Sequence, residues 1–258
     1  MKAVATSEAE IKEIVRKDGV GRRCDYFGKS GQITMAPQGF LVERPYAYAR
    51  IDPHFHDVDQ FQVIVAGYGH IGKKELRPVT FQYADAYTPY GPIVAQDDGI
   101  SFFTLRNVAS GGHFSMPGSK HLMPCRAGRN IAAVFEQDQT PPAAGQSFCE
   151  VLMEGQVDGV DAIGIRLGSN AVADGLQNDG GGQYYLVCAG SVVVDGKPLP
   201  KNSVIRIDPG EATPVFRSGD EGANVLALQF ARPSDRPGAD LQGLAARSND
   251  GYVQKTEK

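Results

Sequence analysis

Residues 53–69 read PHFHDVDQFQVIVAGYG, with His54 and His56 one residue apart, Gln60 four residues on, and an apolar run ending at Gly67. In an extended chain alternate side chains share a face, so the two histidines point the same way. Gln60 returns after a short turn through residues 57–59 and can face the same interior. The text after it alternates over a short span and stops at glycine, which reads as a β-strand. Two imidazoles and one amide oxygen make a half-shell for a divalent transition metal (Fe, Mn, Ni or Zn). Without metal, either imidazole suits a general base, because its ordinary pKa lies near neutrality.

The same frame occurs twice. His54-x-His56-x3-Gln60-x6-Gly67 reappears 123 residues later as Gln177-x-Asp179-x3-Gln183-x6-Gly190. The flanks agree, QFQVIVAGYGHI against QYYLVCAGSVVV. Each copy continues to a second glycine turn, at Gly91 and at Gly210, and then to an apolar strand, GISFFTLRN or GANVLALQF. Self-similarity at a fixed period points to two copies of one unit. Between them lies EQDQTPPAAGQSF, whose Pro, Gln and Ala content reads as a linker. The expected division is a first unit over 1–136, a linker over 137–147, a second unit over 148–232 and a polar tail over 233–258. The tail carries a possible short helix around 239–247.

With 31 glycines, 16 prolines and no tryptophan in 258 residues, the chain is turn-rich. Its strand-like segments are short, so the expected class is all-β. A helix is expected only at the start, where Ser7 and Glu10 suit a capping box, Ile11, Ile14 and Val15 share a face, and Gly19 stops it. The net charge of −4 gives no electrostatic reason to expect nucleic acid or an anionic membrane as partner. No run approaches the ~20 apolar residues of a membrane span, and residues 1–19 lack the apolar core of a signal peptide. The four cysteines, Cys24, Cys125, Cys149 and Cys188, form no CxxC pair and read as reduced thiols. Together these point to the cytoplasm. GKSG at Gly28 lacks phosphate-loop spacing, so no organic cofactor is expected.

The doubled motif resembles the cupin superfamily, whose first motif is G-x5-H-x-H-x3,4-E-x6-G and second G-x5-P-x-G-x2-H-x3-N. His54, His56 and Gly67 match the first, with Gln60 at its Glu position and Tyr48 at its leading Gly. Pro89 and Gly91 match the second, but Val94 stands where its histidine belongs. The resemblance implies two jelly-roll barrels in tandem behind the short N-terminal helix. It places a metal on His54, His56 and Gln60, its open positions taken by water, substrate, His113 or His121. Glutamine at this place is familiar among cupins that isomerise or cyclise their substrates.

Such barrels bind ligands where interior side chains converge. Candidates to line the mouth are Tyr48, Phe61, Gln62, Tyr87, Tyr90, Gln96, Phe102, Thr104 and Arg106. Alternation turns inward either Phe102, Thr104 and Arg106, or Phe103 and Leu105. The first set brings a guanidinium able to grip a carboxylate. The function expected is a cupin-type enzyme acting on a small oxygenated molecule, as isomerase, cyclase, lyase or dioxygenase, with its site in the first barrel. The alternative is a non-catalytic small-molecule binder with decayed metal sites. The second unit has lost both histidines and reads as structural. Exposed sheet edges lead to the expectation of a homodimer.

Overall fold

Residues 1–29, 32, 34–124 and 128–236 are described by a computed structural model. The expected 239–247 helix and Cys125 lie outside them. Every element of any length is a strand; the only helical turns among the described residues are two three-residue 3-10 turns, Thr6–Glu8 and Lys120–Leu122. No helix among the described residues is long and apolar enough to cross a membrane.

The main path of the first sheet runs Asn130–Val134, Thr80–Ala84, Gln60–Ile71, Ile93–Arg106, Gln38–Arg44, Gly19–Phe27, Glu10–Arg16. That of the second runs Lys2–Val4, Val204–Ile207, Gln183–Val194, Val215–Gln229, Asp161–Leu167, Ser147–Met153. The repeat is carried into the hydrogen-bond register. The pairs Gln60–Ala84, Gln62–Thr104, Ile64–Phe102 and Arg106–Gln38 reappear 123 residues on as Gln183–Ile207, Tyr185–Ala227, Val187–Val225 and Gln229–Asp161. Even the bulges coincide, with Val65 and Cys188 as the extra residues. So do the left-handed glycines. Gly67 has φ +77° and Gly190 φ +64°, and a Cβ on either would sit about 2 Å from a backbone oxygen, of Gly99 or Gly222.

The N-terminal helix does not form. Residues Glu10–Arg16 are a strand, paired residue for residue with Gly19–Phe27. Ile11 and Val15 remain 61% and 74% exposed, so the helical spacing marks no buried face. The β-branched content of the segment favours the strand, and a partner strand is available directly after the turn at residues 17–18.

The chain folds into two compact units, one of Met1–Ala9 with Ala133–Arg232 and another of Glu10–Ala132 with Pro233–Lys258. This differs from the expected 1–136, 137–147, 148–232 and 233–258 at both ends. The first residues belong with the second repeat because Lys2–Val4 pairs with Val204–Arg206 and Ala5 joins that repeat's core. Residues 233–236 belong with the first repeat, where Arg236 reaches Asp59 and Asp85.

Candidate active site in the first barrel

On the strand Gln60–Ile71 the pleat separates two faces. Gln60, Gln62 and Ile64 share one with Arg106, Thr104 and Phe102 of the facing strand. Ile64, Phe102 and Tyr90 belong to one buried core, which makes this the interior face. Phe103 and Leu105 point the other way and are nonetheless fully buried, Phe103 against the Tyr26 ring. The strand is thus covered on both faces, and alternation decides only which set faces the site. Phe61 lies on that second face, against Tyr83, and does not line the interior.

His54 opens the two-residue strand His54–Phe55 and exchanges backbone hydrogen bonds with Tyr90 in both directions. Its Nδ1 lies 2.8 Å from the Asp52 carbonyl oxygen, and the His56 Nδ1 lies 2.6 Å from that of Gly112. A carbonyl only accepts, so each Nδ1 carries the hydrogen and each Nε2 offers its lone pair. Burial, reinforced by His113 and Arg106, pushes the His54 pKa down to about 3. Burial and the Arg106 charge likewise hold His56 well below the ordinary imidazole range. Both are therefore neutral at pH 7. Their rings meet edge to face with centroids 5.2 Å apart.

Gln60 is committed at both ends. Its Oε1 accepts from Arg106 Nε at 3.2 Å and Nη2 at 3.0 Å, and its amide nitrogen donates to the Tyr90 hydroxyl. Arg106 also donates from Nη1 to Gln38 Oε1 at 2.6 Å, and Gln82 donates to Gln62 Oε1 at 2.6 Å. Four glutamines, a threonine and an arginine therefore line one end of the interior, and all are buried. Gln38 and Gln82 were missed in the sequence because neither lies in a motif. Only the register brings them to Arg106 and Gln62.

The second barrel shows what this interior looks like once filled. The places of Gln62, Gln82 and Thr104 are taken there by Tyr185, Ile205 and Ala227, all in one apolar core. Gln183 is spent on the Gln229 side chain and on the carbonyls of Leu176 and Gln177. Asp179, at the place of His56, accepts from Gln229.

Some expected residues do not reach the site. Tyr48 is 67% exposed with φ +55°, and Gln96 is exposed where the ladder of strand Ile93–Arg106 is interrupted between Ala95 and Ile100. His70 and His121 are exposed, the latter beside its own Gly118 carbonyl. Tyr87 contributes its backbone, donating to the His56 carbonyl at 2.6 Å. His113, by contrast, stacks on His54 with centroids 3.9 Å apart and planes 20° off parallel. It is brought there by a pinned loop. Asp57 accepts from the Ser110 hydroxyl and the Gly111 amide, and Ser110 lies 3.3 Å from His56 Nδ1. Asp57 and Ser110 give no sequence signal beyond their nearness to the motif and to a Gly-Gly pair.

The donor set does not complete a metal site. An ion lies near the plane of each imidazole that binds it, about 2 Å from the nitrogen. The nearly parallel planes of His54 and His113 do not converge at such a point. The Gln60 oxygen faces a guanidinium at 3.0 Å, whose charge opposes a cation there. Among the described residues no cluster of three or more His, Cys, Asp or Glu is suited to a metal. His54 and His56 alone have the prepared tautomer and the carbonyl support of metal-binding histidines.

No family model matches the sequence, and no curated protein does. Solved structures do. A proposed dioxygenase from Nostoc punctiforme superposes with a TM-score of 0.64 at 11% identity, over 92% of this chain and 85% of the other. Oxalate decarboxylase from Bacillus subtilis gives 0.58 at 10% identity, over 89% and 76%. The formate complex of the Lactobacillus farciminis oxalate decarboxylase gives 0.56 at 10% identity, over 89% and 86%. The Bacillus subtilis enzyme is described with Mn(II) centres. At these identities the likeness concerns the fold alone, and together with the doubled register it gives this chain the same two-barrel jelly-roll fold as these structures.

Proposed function

We propose that the chain is a cupin-type enzyme whose first barrel takes a small oxygenated organic anion and moves a proton on it. The observation that carries this reading is the pair of His54, buried, and His56, half-buried, both neutral and held with their Nε2 lone pairs available, in the same interior as Arg106. Arg106 supplies positive charge where a carboxylate or an enolate oxygen would lie. One Nε2 takes the proton from carbon or hydroxyl, leaving an imidazolium, and returns it at another position of the substrate. Isomerase, cyclase and lyase reactions all use that step. In the resting site the imidazoles are weak bases. An anion bound beside them favours the charged form and raises their pKa, so proton transfer is coupled to occupancy.

The metal-assisted form of this reading rests only on the two histidines, because Gln60 is held by Arg106. Any ion would be weakly bound and exchangeable. No step is assigned to it.

The test is a thermal-shift screen of small carboxylates, oxo acids and phenolate-type anions against the full chain, followed by calorimetry on the hits. The double variant H54A/H56A should lose binding or turnover by at least tenfold while keeping its circular dichroism spectrum. Q177A/D179A should leave both unchanged. If the first variant keeps full binding, or the second abolishes it, the site is not in the first barrel. Calorimetric titration with Mn(II) and Fe(II) under anaerobic conditions tests the metal form separately, and micromolar or tighter binding lost in H54A/H56A would restore it.

A further inference from the structure

The strand Glu10–Arg16, EIKEIVR, ends the main path of the first sheet, so one side of its backbone has no strand partner among the described residues. Its pairing to Gly19–Phe27 runs through all seven residues without a register shift. The edge at the other sheet's end, Ser147–Met153, is different, because a bulge between Val151 and Met153 breaks its ladder. Bulges, prolines and charges, above all Lys, are what usually protect sheet edges from adding strands, and of these the strand Glu10–Arg16 has only its charges, Glu10, Lys12, Glu13 and Arg16. The Glu10–Arg16 edge has no bulge. It also carries an apolar stripe, with Ile11 and Val15 61% and 74% exposed and Val20, which pairs with Val15, 50% exposed.

We infer that this edge pairs with the same edge of a second copy of the chain, antiparallel about a two-fold axis through Glu13. A two-fold axis normal to the sheet keeps each side chain on its own face, so only registers centred on a residue are allowed. Centred on Glu13, the pairing sets Glu10 opposite Arg16 twice and Ile11 opposite Val15 twice. Centred on Lys12 it would set Ile11 against Glu13, and centred on Ile14 it would set Lys12 against Arg16. Within the strand the central register alone sets opposite charges across from each other and Ile11 across from Val15; it also sets Lys12 opposite Ile14 twice, where the lysine stem packs along the isoleucine. Its one like-charged pair, Glu13 with its symmetry mate, has the Arg22 residues directly beside it in each ladder. Cross-strand pairs of these kinds each favour association, whereas like charges oppose it.

Light scattering and sedimentation equilibrium of the full chain at micromolar concentration should return twice the 27.7 kDa chain mass. Substituting Glu10→Arg or Arg16→Glu singly should weaken dimerisation at least tenfold, and the E10R/R16E double variant should recover it. Glu13→Cys should give a disulfide-linked dimer on mild oxidation, identified by mass spectrometry as a self-crosslink at position 13 so that the exposed Cys149 is not mistaken for it. Unchanged circular dichroism in the charge variants separates loss of pairing from loss of folding. A monomeric parent chain overturns the inference. So does a dimer indifferent to E10R and R16E that yields no crosslink at position 13, since its interface would then lie elsewhere.

Discussion

At Gln60 a carboxylate would have drawn the Arg106 guanidinium into an ion pair; the amide instead gives its oxygen to Arg106 and its nitrogen to Tyr90. That orientation is forced, because a guanidinium has only donors. The consequence for the histidines is electrostatic. They sit beside a fixed positive charge, His54 buried and His56 half-buried, and stay neutral. In the unfolded chain they titrate near 6.5. Between that value and the folded value of about 3 for His54, the unfolded chain binds more protons, so stability falls as pH falls. The unfolding free energy from urea titrations should therefore decline as pH falls from about 6.5 toward 5, by up to about 1.4 kcal/mol per pH unit for each imidazole kept neutral in the fold. The window stops above pH 5 to avoid the carboxylates. H54Q/H56Q should flatten that slope, and an equal slope in parent and variant would show that other groups cause it.

At the scale of elements, the two barrels are held to one register by glycines as much as by apolar residues. Gly67 and Gly190 combine a left-handed φ with a backbone oxygen about 2 Å from any added Cβ. Gly145 has a similar φ, +75°, but nothing within 4 Å. Alanine at Gly145 should cost about 1 kcal/mol, the conformational penalty alone. Alanine at Gly67 or Gly190 should cost more than about 2 kcal/mol, since the strand must also shift. Chemical denaturation of the three variants measures the difference. Equal losses would mean that the close approach of the strands is relaxed in solution.

At the scale of the whole molecule, the first nine residues complete the second repeat and not the first. Lys197 donates to the Ala3 carbonyl and to Glu8, Thr6 donates to the Lys201 carbonyl, and Ala5 is part of the second core. Removing residues 1–8 should speed hydrogen exchange in Val204–Ile207 well before Thr80–Ala84, read by mass spectrometry. Equal protection in both strands would contradict that pairing. Cys24, Cys149 and Cys188 are free thiols. Thiol titration in denaturant without reductant should count all four cysteines of the chain, Cys125 included.

The spacing of His54, His56, Gln60 and Gly67, and its echo at Gln177 to Gly190, determined the class of fold, the doubling and the strand register, because a period of two and a left-handed glycine are local properties of the backbone. The same local reasoning misjudged Glu10–Arg16, where helical spacing of apolar residues was outweighed by a hairpin partner directly after it in sequence. What the interior could do was decided only in three dimensions. Gln38 and Gln82 meet Arg106 and Gln62 across strands far apart in the chain, and His113 reaches His54 through a loop anchored on Asp57. The motif suggested a ligand role for Gln60, and the fold gave its oxygen to Arg106, because a hydrogen-bond partner is chosen by distance in space and not by position in the chain.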